Sequence, residues 1–182
     1  MITIIVIVVV ALLVFWVISV QRKLVNAEEL CKNAMSQIGV QQSSRWDALS
    51  GLVELLKSYN EHEYNTLRDV IAARSNIDSN SSAADAQAQE DMITKVMQRL
   101  SVVVEQYPQL KADSMYQETM ESVNTYENQV RMSRMVYNDS VTRYNRLIRQ
   151  IPDSIVASIF HFDQRDYLKE DKTKADRPSL KI

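Results

Sequence analysis

Glycine and proline are scarce in this 182-residue sequence, which holds two glycines and three prolines. The two residue types together make up roughly 12% of an average chain, so their scarcity predicts long helices with few turns. Neither Gly39 nor Gly51 lies in a glycine-rich stretch, which excludes the phosphate-binding loops of nucleotide-dependent folds at the level of motif. An all-β fold is disfavoured as well, because the usual turn residues are missing.

An excess of charge of one sign is also absent, since the formal net charge is -2. Proteins dedicated to nucleic acids normally carry a basic excess, so we expect no nucleic-acid partner. The one cysteine, Cys31, can form neither an internal disulfide nor a multi-thiolate metal site. It is expected to be a small packed side chain.

Signatures of catalysis are missing too. The two histidines, His62 and His161, lie far apart, and there is no H-E-x-x-H, Glu-x-x-His pair or G-x-S-x-G element. Adjacent residues on a helix point in different directions, so the run Glu61-His62-Glu63 is expected to be a solvated face. We therefore expect no catalytic residue, metal site or cofactor. A hydrolase or metal-dependent enzyme that uses this run, or a cluster around Glu127, is the alternative.

One long uncharged apolar run is present, from Ile2 to Val20. It would span roughly 28 Å as a helix, close to the hydrocarbon thickness of a bilayer, and it is predicted to be a transmembrane helix over residues 1–20. A cleavable signal peptide is disfavoured because no basic residue precedes the run and no small-residue cleavage site follows it. Arg22 and Lys23 are the first charges, so the N-terminus is expected outside and the rest in the cytoplasm. Trp16 would suit an interfacial anchor.

The remaining chain predicts an all-α fold. Helical periodicity runs from residue 21 to about 75 and from Asp113 or Ser114 to about Gln150. Between them, residues 75–90 are expected to be a turn and a weak helix start, with a capping box at Ser82 and Asp85, and the helix that follows ends at Pro108. We expect an antiparallel helical bundle of three long helices plus a short C-terminal helix over residues 21–162, with a disordered charged tail over 163–182. Three long helices in up-down-up order would place the apolar segment 155–162 at the end far from the membrane, where it would cap the bundle.

The third long helix carries a regular seven-residue repeat of core-type residues. Its members are Tyr116, Val123, Val130, Tyr137, Tyr144 and Ile151. Polar residues accompany this seam: Glu127, Asn128, Arg131, Arg134, Tyr137, Asn138, Tyr144 and Asn145. They form either a candidate partner surface or, as we favour, buried hydrogen bonds that fix helix register, with Tyr59-Asn60 and Tyr64-Asn65 as possible counterparts.

Three stretches resemble the LemA family of bacterial membrane proteins. Residues 34–53 (AMSQIGVQQSSRWDALSGLV) are similar to its first-helix signature, and residues 107–112 (YPQLKA) to its YPDLKA turn. The most specific stretch starts with ENQV at 127–130 and continues through Arg134, the two Tyr-Asn pairs and Ile151-Pro152. Gly39, Trp46, Ser50 and Gly51 depart from the usual Asp, His, Pro and Asn. The resemblance covers roughly residues 26–162 and implies one N-terminal membrane helix and a helical bundle, with no established reaction.

These observations predict a non-enzymatic, single-pass protein of the bacterial inner membrane that serves as an interaction or scaffold module. Its expected partners are the lipid bilayer, through residues 2–20, and an unidentified protein; a homo-oligomer is possible. A signalling stalk that transmits motion from the membrane helix is a third hypothesis.

Overall fold

The computed structural model describes residues 1–169, and this part of the chain is helical throughout its regular structure. The expected all-α class is therefore confirmed. Six helices are present within it: α1 (Ile2–Leu56), α2 (Glu61–Ala72), α3 (Ala83–Gln106), α4 (Pro108–Lys111), α5 (Ser114–Arg149) and α6 (Asp153–Ile159).

Helix α1 runs without interruption for 55 residues, which corresponds to about 83 Å. Its apolar N-terminal part is exposed, and burial inside the protein begins at Trp16 and Val17 and becomes complete at Val20. This helix is the one candidate for a membrane span among the described residues. The apolar run therefore continues without a break into the part of α1 that packs in the domain.

The first helix ends earlier than its periodicity predicts. It stops at Leu56, and a turn over 57–60 leads into α2, whose N-cap Asn60 accepts a hydrogen bond from the main-chain N–H of Glu63 at 3.0 Å. The expectation of one helix from 21 to about 75 is therefore wrong. The physical signal was an Asn cap followed three residues later by Glu, a combination that starts helices.

The connection from α2 to α3 folds back onto the middle of α1. Ile77 is buried there, and its carbonyl lies so close to Gly39 that a Cβ at this position would overlap it. The Gln89 side chain also donates to the carbonyl oxygen of Ser75. Helix α3 then starts with the expected capping box between Ser82 and Asp85, and it ends before Pro108 as predicted.

Helix α5 packs along α1 over most of its length. The core positions of its seven-residue repeat are confirmed, since Tyr116, Val123, Val130, Tyr137 and Tyr144 are buried. The last position is wrong: Ile151 lies beyond the end of α5 at Arg149 and is 84% exposed. The repeat stops where the helix that supports it stops.

Two apolar clusters fill the interior at different heights of α1. The lower cluster joins Val20, Leu24 and Ile38 of α1 to Tyr144, Ile148 and Val156, and the upper cluster joins Trp46 through Leu56 to residues of α2 and α3 and to Val123. The early part of α1 therefore packs beside the late part of α5, and the late part of α1 beside the early part of α5.

Helix α6 consequently lies beside the start of the packed domain, next to the apolar run of α1. Asp153 forms an ion pair with Lys23 at 2.5 Å, and Val156 and Ala157 join the cluster that contains Val20. The expectation that residues 155–162 lie at the far end is wrong. The chain reverses direction once more than predicted, at 57–60. Helix α5 therefore runs back towards the apolar run of α1 instead of away from it.

The segment that follows α6 also differs from its prediction. Residues 163–169, expected to belong to the disordered tail, lie against α5 and bury Leu168. Side chains of α5 form hydrogen bonds with the main-chain groups of these residues. These bonds stabilise a segment whose sequence has no helical or strand periodicity. The rest of that predicted tail, residues 170–182, lies outside the described residues.

Candidate functional site

Two Tyr-Asn pairs on α5 form the candidate site. The Tyr144 hydroxyl donates to the carbonyl oxygen of Asp163 at 2.8 Å, and the Tyr137 hydroxyl donates to that of Asp166 at 3.1 Å. We call Tyr137, Asn138, Tyr144 and Asn145 the ladder, and residues 163–169 the bound segment. The carbonyl bound by Tyr137 lies three residues further along the bound segment than the one bound by Tyr144.

The two asparagines bind both polar groups of a main-chain unit. Asn145 donates to the carbonyl oxygen of Arg165 at 2.9 Å and accepts from its N–H at 3.0 Å. Asn138 repeats this with Leu168, donating at 3.0 Å and accepting at 2.9 Å. Because every one of these hydrogen bonds goes to the main chain, they specify the path of the bound segment and not its sequence.

The ladder has a simple geometric basis. Residues seven apart on a helix lie on the same face and about 10 Å apart along the axis. Three residues of an extended chain cover about the same distance. A seven-residue repeat on α5 therefore matches a three-residue repeat in the bound segment, and the segment must run extended to satisfy both pairs.

Side chains at either end fix the bound segment further. Arg165 makes an ion pair with Glu28 of α1 at 3.0 Å and lies over the Tyr144 ring, with 6.0 Å to the ring centroid. At the other end, Arg134 donates to the carbonyl oxygen of Lys169 at 2.6 Å and to Gln87 of α3 at 3.0 Å. The segment thus binds α5 and α1, and Arg134 links this site to α3.

Burial shapes the chemistry of the ladder hydroxyls. Desolvation raises the pKa of Tyr144 to about 12, with the nearby carboxylate of Glu28 adding to the shift and Arg165 opposing it. Desolvation also raises the pKa of Tyr137, again against Arg165. Both hydroxyls therefore keep their protons at any physiological pH and act as hydrogen-bond donors.

A second polar group lies between the two apolar clusters. Arg45 of α1 is 2% exposed and reaches both carboxylate oxygens of Glu90 at 2.9 and 3.1 Å, and Glu127 at 3.1 Å. Gln42, one turn earlier, is fully buried and forms no hydrogen bond with another described residue. We call Gln42, Arg45, Glu90 and Glu127 the buried polar layer; it joins α1, α3 and α5 at mid-height.

The eight predicted seam residues therefore separate into three groups. Arg134 and the four ladder residues contact the bound segment, and Glu127 belongs to the buried polar layer. Asn128 and Arg131 lie exposed on α5 and bind only each other at 3.2 Å among the contacts that the structure defines for them. The suggested counterparts are wrong: Asn60 caps α2, and the Tyr64 hydroxyl donates to Glu54 at 3.0 Å.

The residues of the enzymatic alternative are not brought together. Glu61 and His62 lie exposed on α2, while Glu63 forms an ion pair with Arg99 of α3 at 2.7 Å, which lowers the pKa of Glu63. Glu127 is occupied by Arg45. Over residues 1–169, no group of three or more His, Cys, Asp and Glu side chains could hold a metal ion.

The residues of the predicted membrane flank lie in part against the folded protein. Trp16 is partly buried against the lower cluster, Lys23 binds Asp153, and Arg22 is exposed. Cys31 is buried as expected, and burial raises the pKa of its thiol.

Sequence reasoning missed two parts of the site. It included Arg45 only within the motif over residues 34–53, although a position seven residues after Ile38 and four before Leu49 places a cation on the inner face of α1. It also missed the bound segment, whose charged composition resembles a disordered tail. The single signal was Leu168 in an otherwise polar run.

Comparisons with known proteins match most of the chain to one family. A family model described as the LemA family matches residues 34–182. Two curated proteins of Paramagnetospirillum magneticum (strain ATCC 700264 / AMB-1), magnetosome proteins MamQ 1 and MamQ 2, are each 34% identical over 82 residues. The match covers 45% of this chain and spans only 30% of the length of either relative.

Proposed function

This chain belongs to the LemA family, and from that premise we propose that it is a single-pass, membrane-anchored interaction protein without enzymatic activity. The proposed interaction site is the ladder. In this proposal the domain is an antiparallel helical bundle with a coiled-coil-like seam, and it holds the ladder at a fixed distance from the lipid. The magnetosome role of the two relatives is not part of the proposal, because this chain spans less than a third of each.

The observation that carries the proposal is that every hydrogen bond from the ladder to the bound segment goes to a main-chain group. Its four side chains make six hydrogen bonds to main-chain groups of residues 163–168. A site of this kind accepts any extended chain that follows the same path, whether from a protein partner or from a second copy. The bound segment would then be an internal occupant that a partner displaces.

The proposed location is the bacterial inner membrane, with the N-terminus outside and the helical domain in the cytoplasm. Support comes from the exposed apolar run of α1 and from Arg22 and Lys23 on its C-terminal side. A phosphatase fused after Ile182 should stay inactive and a fluorescent protein should report from the cytoplasm. Phosphatase activity from the far side would contradict the orientation.

Peptide binding tests the ladder directly. A chain ending at Phe162 leaves the ladder open, and a labelled peptide with the sequence of residues 163–169 should bind it in a saturable manner. Concentrations up to about 1 mM are needed, the effective concentration of a short tethered segment. The full chain should bind less peptide, because its own segment competes.

Matched variants decide whether the ladder is responsible. Asn138→Ala with Asn145→Ala should abolish peptide binding, whereas Asn128→Ala, an exposed asparagine on the same helix, should leave it unchanged. Circular dichroism shows whether the shortened chain remains helical. A helical chain that binds no peptide would overturn the proposed site, and equal protein crosslinking in cells by wild type and the double variant would overturn its role in partner binding.

A further inference from the structure

The end of the domain formed by α6 lies beside the point where α1 leaves its apolar run. Asp153 at the start of α6 is paired with Lys23, and Val156 and Ala157 pack in the cluster that contains Val20. Trp16 and Val17, inside the apolar run, are partly buried against the same cluster. Part of the folded domain therefore packs beside the last turn of the apolar run.

The opposite side of α6 is apolar and exposed. Ile155 and Ile159 are four residues apart on α6, and they are 55% and 63% exposed; Ile151 and Phe160, at its two ends, are 84% and 49% exposed. Isolated exposed apolar side chains are ordinary, but four on a single turn and a seven-residue helix form a patch that needs a partner. Through Val156 and Ala157, this patch belongs to the same end of the domain as Trp16 and Val17 of the apolar run.

Basic side chains surround this end. Arg22, Lys23 and Arg143 line an open groove of about 500 Å³ between α1 and α5, together with the apolar Phe15, Ile18 and Leu147. Arg146 and Arg149 end α5 just before the patch. An apolar patch bordered by cations is the arrangement that places a protein surface at the boundary of headgroups and acyl chains of an anionic membrane.

We propose that the α6 patch is a second membrane contact, in which Ile151, Ile155, Ile159 and Phe160 enter the interfacial zone of the bilayer that α1 spans. The groove beside it takes the headgroup of an anionic phospholipid at Arg22 and Arg143, with an acyl chain along Phe15 and Ile18. Two contacts fix the tilt of α1, and with it the direction in which the ladder faces. This inference rests on the membrane anchoring included in the proposed function.

The test uses the full chain in vesicles of phosphatidylcholine and phosphatidylglycerol. Fluorophores are placed by Ile155→Cys in the patch, by Val9→Cys in the apolar run and by Val102→Cys, an exposed position on α3 far from the run. Cys31 is fully buried, so the wild-type chain serves as the control for background labelling. Quenching is then measured with lipids that carry a nitroxide near the headgroup for Ile155→Cys and Val102→Cys, and with lipids that carry it near the end of the acyl chain for Val9→Cys.

We expect quenching at Ile155→Cys several-fold above that at Val102→Cys, and a decrease at Ile155→Cys alone when phosphatidylglycerol is omitted. Quenching at Val9→Cys with none at Ile155→Cys would overturn the second contact and leave the anchoring intact. Loss of quenching at Val9→Cys would overturn the anchoring itself. Shielding of Ile155→Cys from aqueous iodide without lipid quenching, together with crosslinks between copies, would assign the patch to a second copy and overturn the inference.

Discussion

The side-chain amide of Asn145 pairs with the main chain of Arg165 on both of its polar atoms, at 2.9 and 3.0 Å. Twenty residues separate the two in sequence, and the pair closes a path from the end of α5 through α6 and back along α5. An asparagine used in this way behaves like the edge of a neighbouring strand. It supplies a donor and an acceptor to a segment that has no regular partner of its own.

Removing this pairing should loosen the bound segment. We expect Asn145→Ala to cost about 1–3 kcal/mol of unfolding free energy, because the N–H and carbonyl of Arg165 lose their partners in a partly buried site. Hydrogen exchange at the amides of Arg165 and Leu168 should accelerate. Asn128→Ala, on the exposed face of α5, should change stability by no more than about 0.5 kcal/mol; equal effects of the two variants would contradict the ladder.

The close approach of the Ile77 carbonyl to Gly39 gives a second prediction. A Cβ there meets the carbonyl of Ile77, a main-chain group that cannot rotate away, so Gly39→Ala should destabilise the protein by about 1–3 kcal/mol. At Gly51 a Cβ would lie 3.5 Å from Thr119 Cγ2, an ordinary contact. Gly51→Ala should therefore stabilise α1 by up to about 1 kcal/mol. Denaturant unfolding of both variants in detergent checks the opposite signs.

The buried polar layer predicts that replacing Arg45 by an uncharged residue strongly lowers the stability of the protein. Arg45→Met leaves Glu90 and Glu127 facing each other without their shared cation, so we expect a loss of about 3–5 kcal/mol. Adding Glu90→Gln and Glu127→Gln should recover part of that loss, since the uncompensated charges are then gone. Arg131→Met removes an exposed arginine of the same chain and should be nearly silent in the same thermal unfolding experiment.

Alkaline pH should destabilise the protein through Tyr144. Its pKa is about 12 in the folded chain and about 10 in an unfolded one, so the folded state holds the proton more tightly. The resulting stabilisation is fully present below pH 10 and is lost as the pH rises towards 12, by up to about 2 kcal/mol. Tyr144→Phe should lose less stability over that pH interval than wild type; parallel curves would show that the hydroxyl is not buried as described.

Some features of this protein follow from local pattern and are visible in the sequence. The apolar run from Ile2 to Val20 needs only length and absence of charge, and the seam from Tyr116 to Tyr144 needs only a seven-residue repeat. The capping box at Ser82 and the stop at Pro108 are equally local, because each depends on neighbouring main-chain groups. The recurrence of Tyr-Asn likewise marked the ladder positions, though it did not identify what they bind.

The partner of the ladder and the placement of α6 were decided by tertiary structure. The ladder binds main-chain groups, which every residue carries, so within residues 163–169 the side chain of Leu168 was the single signal of the bound segment. The placement of α6 depends on the number of chain reversals, and a single short turn before the cap at Asn60 raises that number from two to three. Composition and periodicity thus indicate which segments are helical and which of their faces are apolar, whereas long-range hydrogen bonds and the number of turns decide which segments lie side by side.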